Sequence, residues 1–226
     1  TDELADAPAA NAIPLTEGRY RRWSAPIFAN PEADLQGYVS QAFSFPDWLI
    51  ERWQLRFEAP ELLRVCFWFN SRAEITLRVN LLKTTRDALL EEFRAAGVSA
   101  SAGGLPEAVR LQSSARIETL PGFDDGRFSV QDSSAMHAAR LLAPQRGERL
   151  LDLCAAPGTK TAHLAECLHD DGTILATDVR QQRLRLIEEN CRRLGITSVE
   201  ARLIQPDGGD LPDGPFDAAL VDVPCS

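Results

Sequence analysis

A run of small and polar residues follows an apolar segment near the middle of the chain. The segment Leu150–Cys154 leads directly into Cys154–Lys160, which reads Cys-Ala-Ala-Pro-Gly-Thr-Lys. Small residues let a ligand approach the backbone, and the N-terminus of a following helix offers free N–H groups. Asp178 ends the next apolar segment, 20 positions after Gly158, where a carboxylate can accept hydrogen bonds from both hydroxyls of a ribose. The spacing therefore predicts a site for a nucleoside-containing cofactor.

Two other kinds of nucleotide-binding loop fit this run poorly. A dinucleotide site requires the pattern G-x-G-x-x-G, and the loop before the helix contains Gly158 alone. A P-loop requires a glycine immediately before a Lys-Thr pair, but Thr159 precedes Lys160. A nucleoside cofactor without a pyrophosphate remains, and we expect S-adenosyl-L-methionine.

A second candidate for chemistry lies in the last segment, where Asp222 is followed by a valine, Pro224 and Cys225. A rigid proline beside a thiol fixes the geometry of that thiol, and the thiolate is the reactive form of cysteine. The alternative is that Cys225 is a small buried apolar residue, as free cysteines commonly are. Because several strand ends carry matched features, we expect a functional site.

Strands and helices must alternate in the second half of the chain to position these residues. Strand patterns cover Leu150–Cys154, Thr173–Asp178, Val199–Leu203 and Ala218–Val223, and helical patterns follow the first two. Such alternation is typical of a parallel sheet with crossover helices. We therefore expect a Rossmann-like α/β sheet whose ligands bind at the carboxyl ends of the strands.

The part of the chain before this sheet predicts a small α/β accessory domain. Residues 1–17 are rich in alanine, proline and acids, which predicts a flexible lead-in. The accessory domain is expected over residues 18–122, and the first four strands of the sheet domain over residues 123–226. A helix from about Ser44 carries an aromatic stripe with Trp48, and this stripe is predicted to lie in the core.

The bulk composition limits the classes of function. The 226 residues include five cysteines without CxxC pairing, so neither disulfides nor a metal site is expected. The net charge of −9 disfavours a general polyanion-binding surface. Without a signal peptide or transmembrane segment, the chain is expected to be cytoplasmic. Local basic groups could form a patch: Arg19, Arg21, Arg22, Arg72, Arg78, Lys83 and Arg86.

Taken together, the motifs resemble those of a known family. Five segments look like the Fmu/Sun family of RNA 5-methylcytosine methyltransferases, in particular its bacterial small-subunit ribosomal RNA member: Pro46–Leu49, Leu77–Asn80, Phe128–Asp132, Leu150–Thr161 and Asp222–Ser226. The resemblance covers about residues 44–226. It implies an S-adenosylmethionine-dependent methyltransferase for C5 of cytosine in ribosomal RNA, with an accessory domain that recognises RNA.

The resemblance also assigns site residues. Asp178 is expected to hold the ribose hydroxyls, Asp207 to lie by the adenine, and Asp222 to face the reacting base and the methyl group. Asp222 and Cys225 form the expected catalytic pair. The family usually has a second glycine where this chain has Thr159. The complete set of expected cofactor-binding residues is Cys154, Ala155, Ala156, Pro157, Gly158, Thr159, Lys160, Asp178, Asp207 and Asp222.

The reaction implied by the resemblance starts when a cysteine thiolate adds to C6 of cytosine, which makes C5 nucleophilic. In the RNA family the attacking cysteine belongs to a later Thr-Cys motif, and the Pro-Cys cysteine, here Cys225, helps to release product. This sequence has no Thr-Cys pair, so the chain alone is expected to be inactive. Two alternatives stay open, a transfer RNA methyltransferase and a non-catalytic RNA-binding or assembly module with the same fold.

Overall fold

The chain forms two compact units, Thr1–Ala73 and Glu74–Ser226. The boundary expected near residue 122 lies inside the second unit, because the strand Phe128–Val130 pairs with Ile75–Val79. The computed structural model describes residues 4–16, 18–112 and 116–223.

The first unit begins with three short antiparallel strands, β1 (Leu4–Ala5), β2 (Ala12–Pro14) and β3 (Tyr20–Arg22), in the order β1-β3-β2. Ala12 is buried, and its carbonyl oxygen accepts a hydrogen bond from the Tyr38 hydroxyl at 3.2 Å. The described part of the expected flexible lead-in is therefore ordered by strand pairing, which composition alone did not indicate.

Three helices complete this unit: α1 (Leu35–Phe43), α2 (Asp47–Gln54) and α3 (Ala59–Asn70). The Asp34 carboxylate caps α1 by accepting a hydrogen bond from the Gly37 N–H at 2.8 Å. Ile50 of α2 is buried, but Trp48 is 64% exposed. The prediction that the whole aromatic stripe lies in the core is wrong for Trp48. Trp48 and Ile50 are two positions apart on α2, so their side chains point about 200° apart around the helix axis.

The second unit contains a four-stranded antiparallel sheet in the order β5-β6-β4-β7. Helix α4 (Arg86–Ala95) buries Leu89 and Phe93 in the core of this sheet. Residues Ile117–Thr119 form a short 3-10 helix. The strands are β4 (Ile75–Val79), β5 (Ala100–Ala102), β6 (Ala108–Leu111) and β7 (Phe128–Val130).

A parallel sheet of four strands follows in the same unit, in the order β10-β9-β8-β11. This arrangement confirms the expected Rossmann-like α/β fold. Its strands are β8 (Arg149–Asp152), β9 (Thr173–Asp178), β10 (Val199–Leu203) and β11 (Ala218–Leu220). Its helices are α5 (Ser133–Leu142), α6 (Thr159–Cys167) and α7 (Gln181–Leu194).

Buried ionic contacts connect the antiparallel sheet to α6. The fully buried Arg78 of β4 donates to both carboxylate oxygens of Glu166, at 3.1 and 2.7 Å. It also donates to the Thr159 carbonyl oxygen at 2.7 Å and to the Gln131 side chain. This bidentate pairing removes Arg78 from the basic surface patch that the sequence suggested.

A second polar contact lies beside the first. Arg140 of α5 donates to the buried Glu107 carboxylate at 3.1 Å, and His163 Nε2 of α6 lies 3.6 Å from it. Hydrogen bonding to His163 and the charge of Arg140 lower the pKa of Glu107 to about 2, although burial opposes this change.

Within the part of the chain that the structure describes, no helix is long and apolar enough to cross a bilayer.

Candidate functional site

The carboxyl ends of β8, β9 and β11 meet at one edge of the parallel sheet, since these strands are neighbours in the order β10-β9-β8-β11. Asp152 ends β8, Asp178 ends β9, and Asp222 follows β11 by two residues. The edge thus brings together three carboxylates that are far apart in the sequence, as the strand pattern predicts.

The loop between β8 and α6 is held by backbone contacts at its start. The Ala155 N–H donates to the Thr177 carbonyl of β9 at 2.9 Å, and the Gly158 N–H donates to the Ala155 carbonyl at 2.8 Å. The Ala156–Pro157 peptide bond is cis. Helix α6 then begins at Thr159, so that its first N–H groups face the strand edge.

Two side chains of α7 fix the other side of this loop. Arg183 Nη2 donates to the Ala156 carbonyl oxygen at 2.8 Å, and Asn190 Nδ2 donates to the Pro157 carbonyl oxygen at 2.8 Å. Arg183 and Asn190 are seven positions apart, which places them on the same face of the helix. Sequence reasoning missed both residues; the only available signal was this pair of polar side chains at helical spacing.

Gly158 is required by the close approach of the loop to α7. It has a φ of 95°, in the left-handed region that side chains rarely adopt. A Cβ atom at this position would lie 3.1 Å from the Ile187 Cα atom of α7. Because moving the helix backbone away would disrupt its packing, the loop conformation depends on glycine at this position.

Asp178 is buried at the floor of a cleft beside the loop. Its Oδ1 atom accepts a hydrogen bond from the Arg180 N–H at 3.0 Å, and its Oδ2 atom lies 3.4 Å from Arg183 Nη1. The cleft has a volume of about 220 Å³. Its lining is Leu153, Cys154, Asp178, Val179, Arg183, Ile204, Gln205, Pro206, Gly208 and Leu211.

The chemistry of this lining fits a nucleoside. A carboxylate at the tip of β9 can accept ribose hydroxyls, and the apolar side chains of Val179, Ile204 and Leu211 offer a surface for a flat base. Within residues 4–16, 18–112 and 116–223, no three His, Cys, Asp or Glu side chains come together as candidate metal ligands. The lining therefore offers the polar and apolar groups that the expected kind of cofactor would need.

Asp152 supports the loop from beneath. Its buried carboxylate accepts a hydrogen bond from the Thr161 hydroxyl of α6 at 2.7 Å. Burial raises the pKa of Asp152 to about 6, and the nearby Asp222 adds to this rise, whereas Thr161 and Lys160 oppose it. We infer that Asp152 positions the start of α6.

Lys160 and Asp222 form an ion pair at the same strand edge, with 2.5 Å between Lys160 Nζ and Asp222 Oδ2. The Asp222 side chain is half-exposed, and Lys160 is partly buried. Lys160 therefore bridges the loop and the segment after β11. This contact joins two motifs that the sequence analysis identified separately.

The remaining expected site residues have different surroundings. Thr159 is half-buried, and its carbonyl oxygen binds Arg78. Asp207 is exposed and accepts a hydrogen bond from the Gly209 N–H at 3.0 Å within its own loop. Burial, together with Asp178 and Asp152, raises the pKa of the Cys154 thiol. Cys225, the expected catalytic cysteine, lies outside the described residues.

Comparison with known proteins gives matches over most of the chain. Residues 139–226 match the family model of the 16S rRNA methyltransferase RsmB/F, and residues 45–118 match that of the RsmF/B-like ferredoxin-like domain. The solved structure of the protein PH0851 superposes with a TM-score of 0.74 at 28% identity, covering 89% of this chain and 45% of that one.

Curated relatives agree with the family models. The probable ribosomal RNA small subunit methyltransferase B of Synechocystis is 40% identical over 193 residues, which are 83% of this chain and 43% of the relative. The ribosomal RNA small subunit methyltransferase B of Xylella fastidiosa is 44% identical over 199 residues, which are 83% of this chain and 44% of the relative. The chain thus spans less than half the length of these relatives. Through its ferredoxin-like and methyltransferase regions, it belongs to the RsmB/F family of methyltransferases.

Proposed function

We propose that the protein containing this chain methylates C5 of a cytosine in small-subunit ribosomal RNA, with S-adenosyl-L-methionine as methyl donor. The observation that carries the proposal is the cleft at the strand ends, whose lining combines the Asp178 carboxylate with Cys154, the first residue of the Cys154–Lys160 loop, and with apolar side chains. The family supports methyl transfer to ribosomal RNA. The choice of C5 rests on the motifs of the sequence.

In this proposal, different residues of the cleft bind different parts of the cofactor. Asp178 accepts the ribose hydroxyls, and Arg183 holds both Asp178 and the Ala156 carbonyl in place. Val179 and Leu211 cover the base. The loop Cys154–Lys160 wraps the methionine end. When bound, the cofactor supplies a methyl group on a positively charged sulfur, which an electron-rich carbon can attack.

In this proposal, Asp222 of the Lys160–Asp222 ion pair binds the target base. A carboxylate is a good acceptor for a hydrogen bond from the amino group of cytosine. The Asp222 side chain is half-exposed, and its ion pair with Lys160 keeps it oriented. We expect the target base to leave its stack in order to reach this pair.

The partner is RNA, and ribosomal RNA is favoured over transfer RNA because both relatives above are named for the small ribosomal subunit. The compartment in this proposal is the cytoplasm, where ribosomal RNA is accessible to such an enzyme. A non-catalytic module is the rival reading, and it predicts cofactor binding without product.

A double-label assay with the full-length protein tests the proposal. Small-subunit ribosomal RNA carrying tritium at cytosine C5 is incubated with S-adenosylmethionine that carries a carbon-14 methyl group. Methylation at C5 displaces the C5 hydrogen, so we expect one tritium released for each methyl group gained. Asp222→Asn should lower the rate at least tenfold, because its amide is a weaker acceptor for the base.

The exposed Asp213, whose side chain makes no hydrogen bond or ion pair within the described residues, provides the control variant Asp213→Asn, which should retain full rate. Methyl gain without tritium release would place the modification on another atom and overturn the C5 assignment. Preference for a transfer RNA transcript over ribosomal RNA would overturn the substrate, and absence of any methyl gain would favour the non-catalytic module.

A further inference from the structure

We propose that the groove between α2 and α3 is a binding site for single-stranded RNA, in which bases stack on exposed tryptophans and arginines bind phosphates. This inference rests on the proposed function only in that the substrate is RNA. The groove lies wholly within the first unit and uses none of the cofactor-site residues.

The groove is large and open, with a volume of about 890 Å³. This volume is within the range of sites that hold ligands of nucleotide size or larger. Seven of its lining residues are apolar and four are charged. They are Trp48, Leu49, Arg52, Trp53, Arg56, Phe57, Glu61, Arg64, Val65, Trp68 and Phe69.

Aromatic rings form a pre-built platform on one wall of the groove. Trp53 stacks on Phe69 with 5.1 Å between ring centroids and 23° between planes, and Trp68 meets Phe69 edge-on at 4.9 Å. Trp68 is 71% exposed and Phe69 is 54% exposed. Trp48 adds a further exposed ring at the first turn of α2. Rings fixed in this way lose little freedom when a base stacks on them.

Three arginines lie among the rings. Arg52 lies in the last turn of α2, Arg56 follows two residues after the end of this helix, and Arg64 lies on α3. Within the described part of the chain, none of the three side chains makes an ion pair or a hydrogen bond, whereas many other arginines of this chain are paired. Glu61 is the single acidic residue of the lining, so the groove is positive although the chain carries −9 overall.

This combination favours a nucleic acid over a protein partner. Unpaired guanidinium groups complement phosphates, and the exposed ring faces complement unstacked bases, which is how single-stranded RNA is held without sequence reading. An acidic peptide would satisfy the arginines but would leave the ring faces without stacking partners. The occupant is therefore an unpaired RNA segment.

Fluorescence anisotropy with the 226-residue chain and a short labelled oligouridine tests the stacking part. Replacing Trp48 and Trp68 by leucine keeps the surface apolar but removes stacking, so affinity should fall roughly tenfold or more. Trp23 is also exposed and lies outside the groove, and Trp23→Leu is the control that should bind like the wild type. Equal binding by the control and the double variant would overturn the proposal.

The arginine part is tested by salt titration. The double variant Arg52→Gln and Arg56→Gln should lower the slope of log affinity against log salt by roughly 1.4, since each phosphate contact on a single strand contributes about 0.7. The exposed Arg146 and Arg192, replaced together by glutamine, carry the same change of charge outside the groove. Equal slopes for the two double variants would contradict the proposal.

Polyglutamate of matched charge serves as competitor. If it displaced the oligouridine as efficiently as unlabelled RNA does, the groove would be an acidic-peptide site, and the RNA assignment would be wrong. Calorimetry with S-adenosylmethionine on the same groove variants separates this test from the proposed function. We expect unchanged cofactor binding, and loss of RNA binding alone identifies the groove.

Discussion

Three aspartates at the same sheet edge are set apart by their surroundings. Asp152 is buried beneath α6 and has a pKa of about 6, whereas Asp178 opens onto the cleft beside Arg183. Asp222 is half-exposed and paired with Lys160. We therefore propose that Asp152 supports the loop, that Asp178 binds the ribose hydroxyls and that Asp222 contacts the substrate.

The support given by Asp152 can be measured through Thr161. Replacing Thr161 by valine preserves the shape of the side chain but removes the 2.7 Å hydrogen bond to the buried carboxylate. We expect the free energy of unfolding to fall by about 1–3 kcal/mol in urea titrations, the cost of leaving a buried acceptor without its donor. Thr119→Val is the matched control, because the Thr119 hydroxyl is exposed, and it should change stability by less than about 0.5 kcal/mol.

The loss in the Thr161 variant should depend on pH. The folded pKa of Asp152 is raised above its ordinary 3.8 to about 6, so its stabilising contribution is full below pH 3.8 and is lost as pH rises through 6. The Thr161 hydrogen bond opposes this rise, and its removal raises the folded pKa further. The destabilisation should therefore be larger at pH 8 than at pH 5; a loss independent of pH would contradict the role given to Thr161.

At the scale of single residues, the sequence predicted the positions that follow strands but not those that reach them from elsewhere. The spacing of Gly158 and Asp178 was sufficient to place them at one edge. Arg183 and Arg78 were not foreseen as supports, because the supporting role of an arginine is recognised only when its partner in another element is known. Arg78 pairs with a residue 88 positions away.

At the scale of elements, periodicity predicted the parallel sheet well because its strands are apolar and separated by amphipathic helices. It failed for the short strands near the N-terminus, where pairing with Tyr20–Arg22 provides the order. It also placed Trp48 in the core, although Ile50 occupies that face. A single amphipathic pattern cannot show which of several aromatic residues will face a partner instead of the core.

The fit between the loop and α7 gives a prediction at this scale. Gly158→Ala should lower the free energy of unfolding by at least ~1 kcal/mol more than Gly147→Ala. Both glycines have φ values between 80° and 100°, at 95° and 82°, but a Cβ atom at Gly147 would meet no atom within 4 Å. The left-handed strain of about 1–2 kcal/mol is shared by the two variants, so the difference isolates the contact with Ile187. Chemical denaturation provides the measurement, and equal losses would show that α7 does not constrain the loop.

At the scale of the whole molecule, the second unit combines two sheets through buried ionic contacts. Arg78 of β4 and Glu107, which immediately precedes β6, contact α6, the helix that begins at the cofactor loop. The sequence predicted two successive domains. It did not show the contacts between the antiparallel sheet and α6, because the residues that make them look like ordinary charged side chains in the sequence. We infer that substitutions that destabilise the antiparallel sheet would also disturb the cofactor site, because α6 contacts both.

We propose that this chain contains the site for S-adenosylmethionine, with Asp178 as the ribose ligand. Calorimetric titration of the cofactor into the 226-residue chain tests it most directly, with thermal unfolding to verify that each variant is folded. We predict one site per chain and roughly 30-fold weaker binding for Asp178→Ala, since charge-assisted hydrogen bonds to ribose are lost. The exposed Asp87, replaced by alanine, should leave affinity unchanged. Equal affinity of the wild type and a folded Asp178→Ala variant would contradict the account.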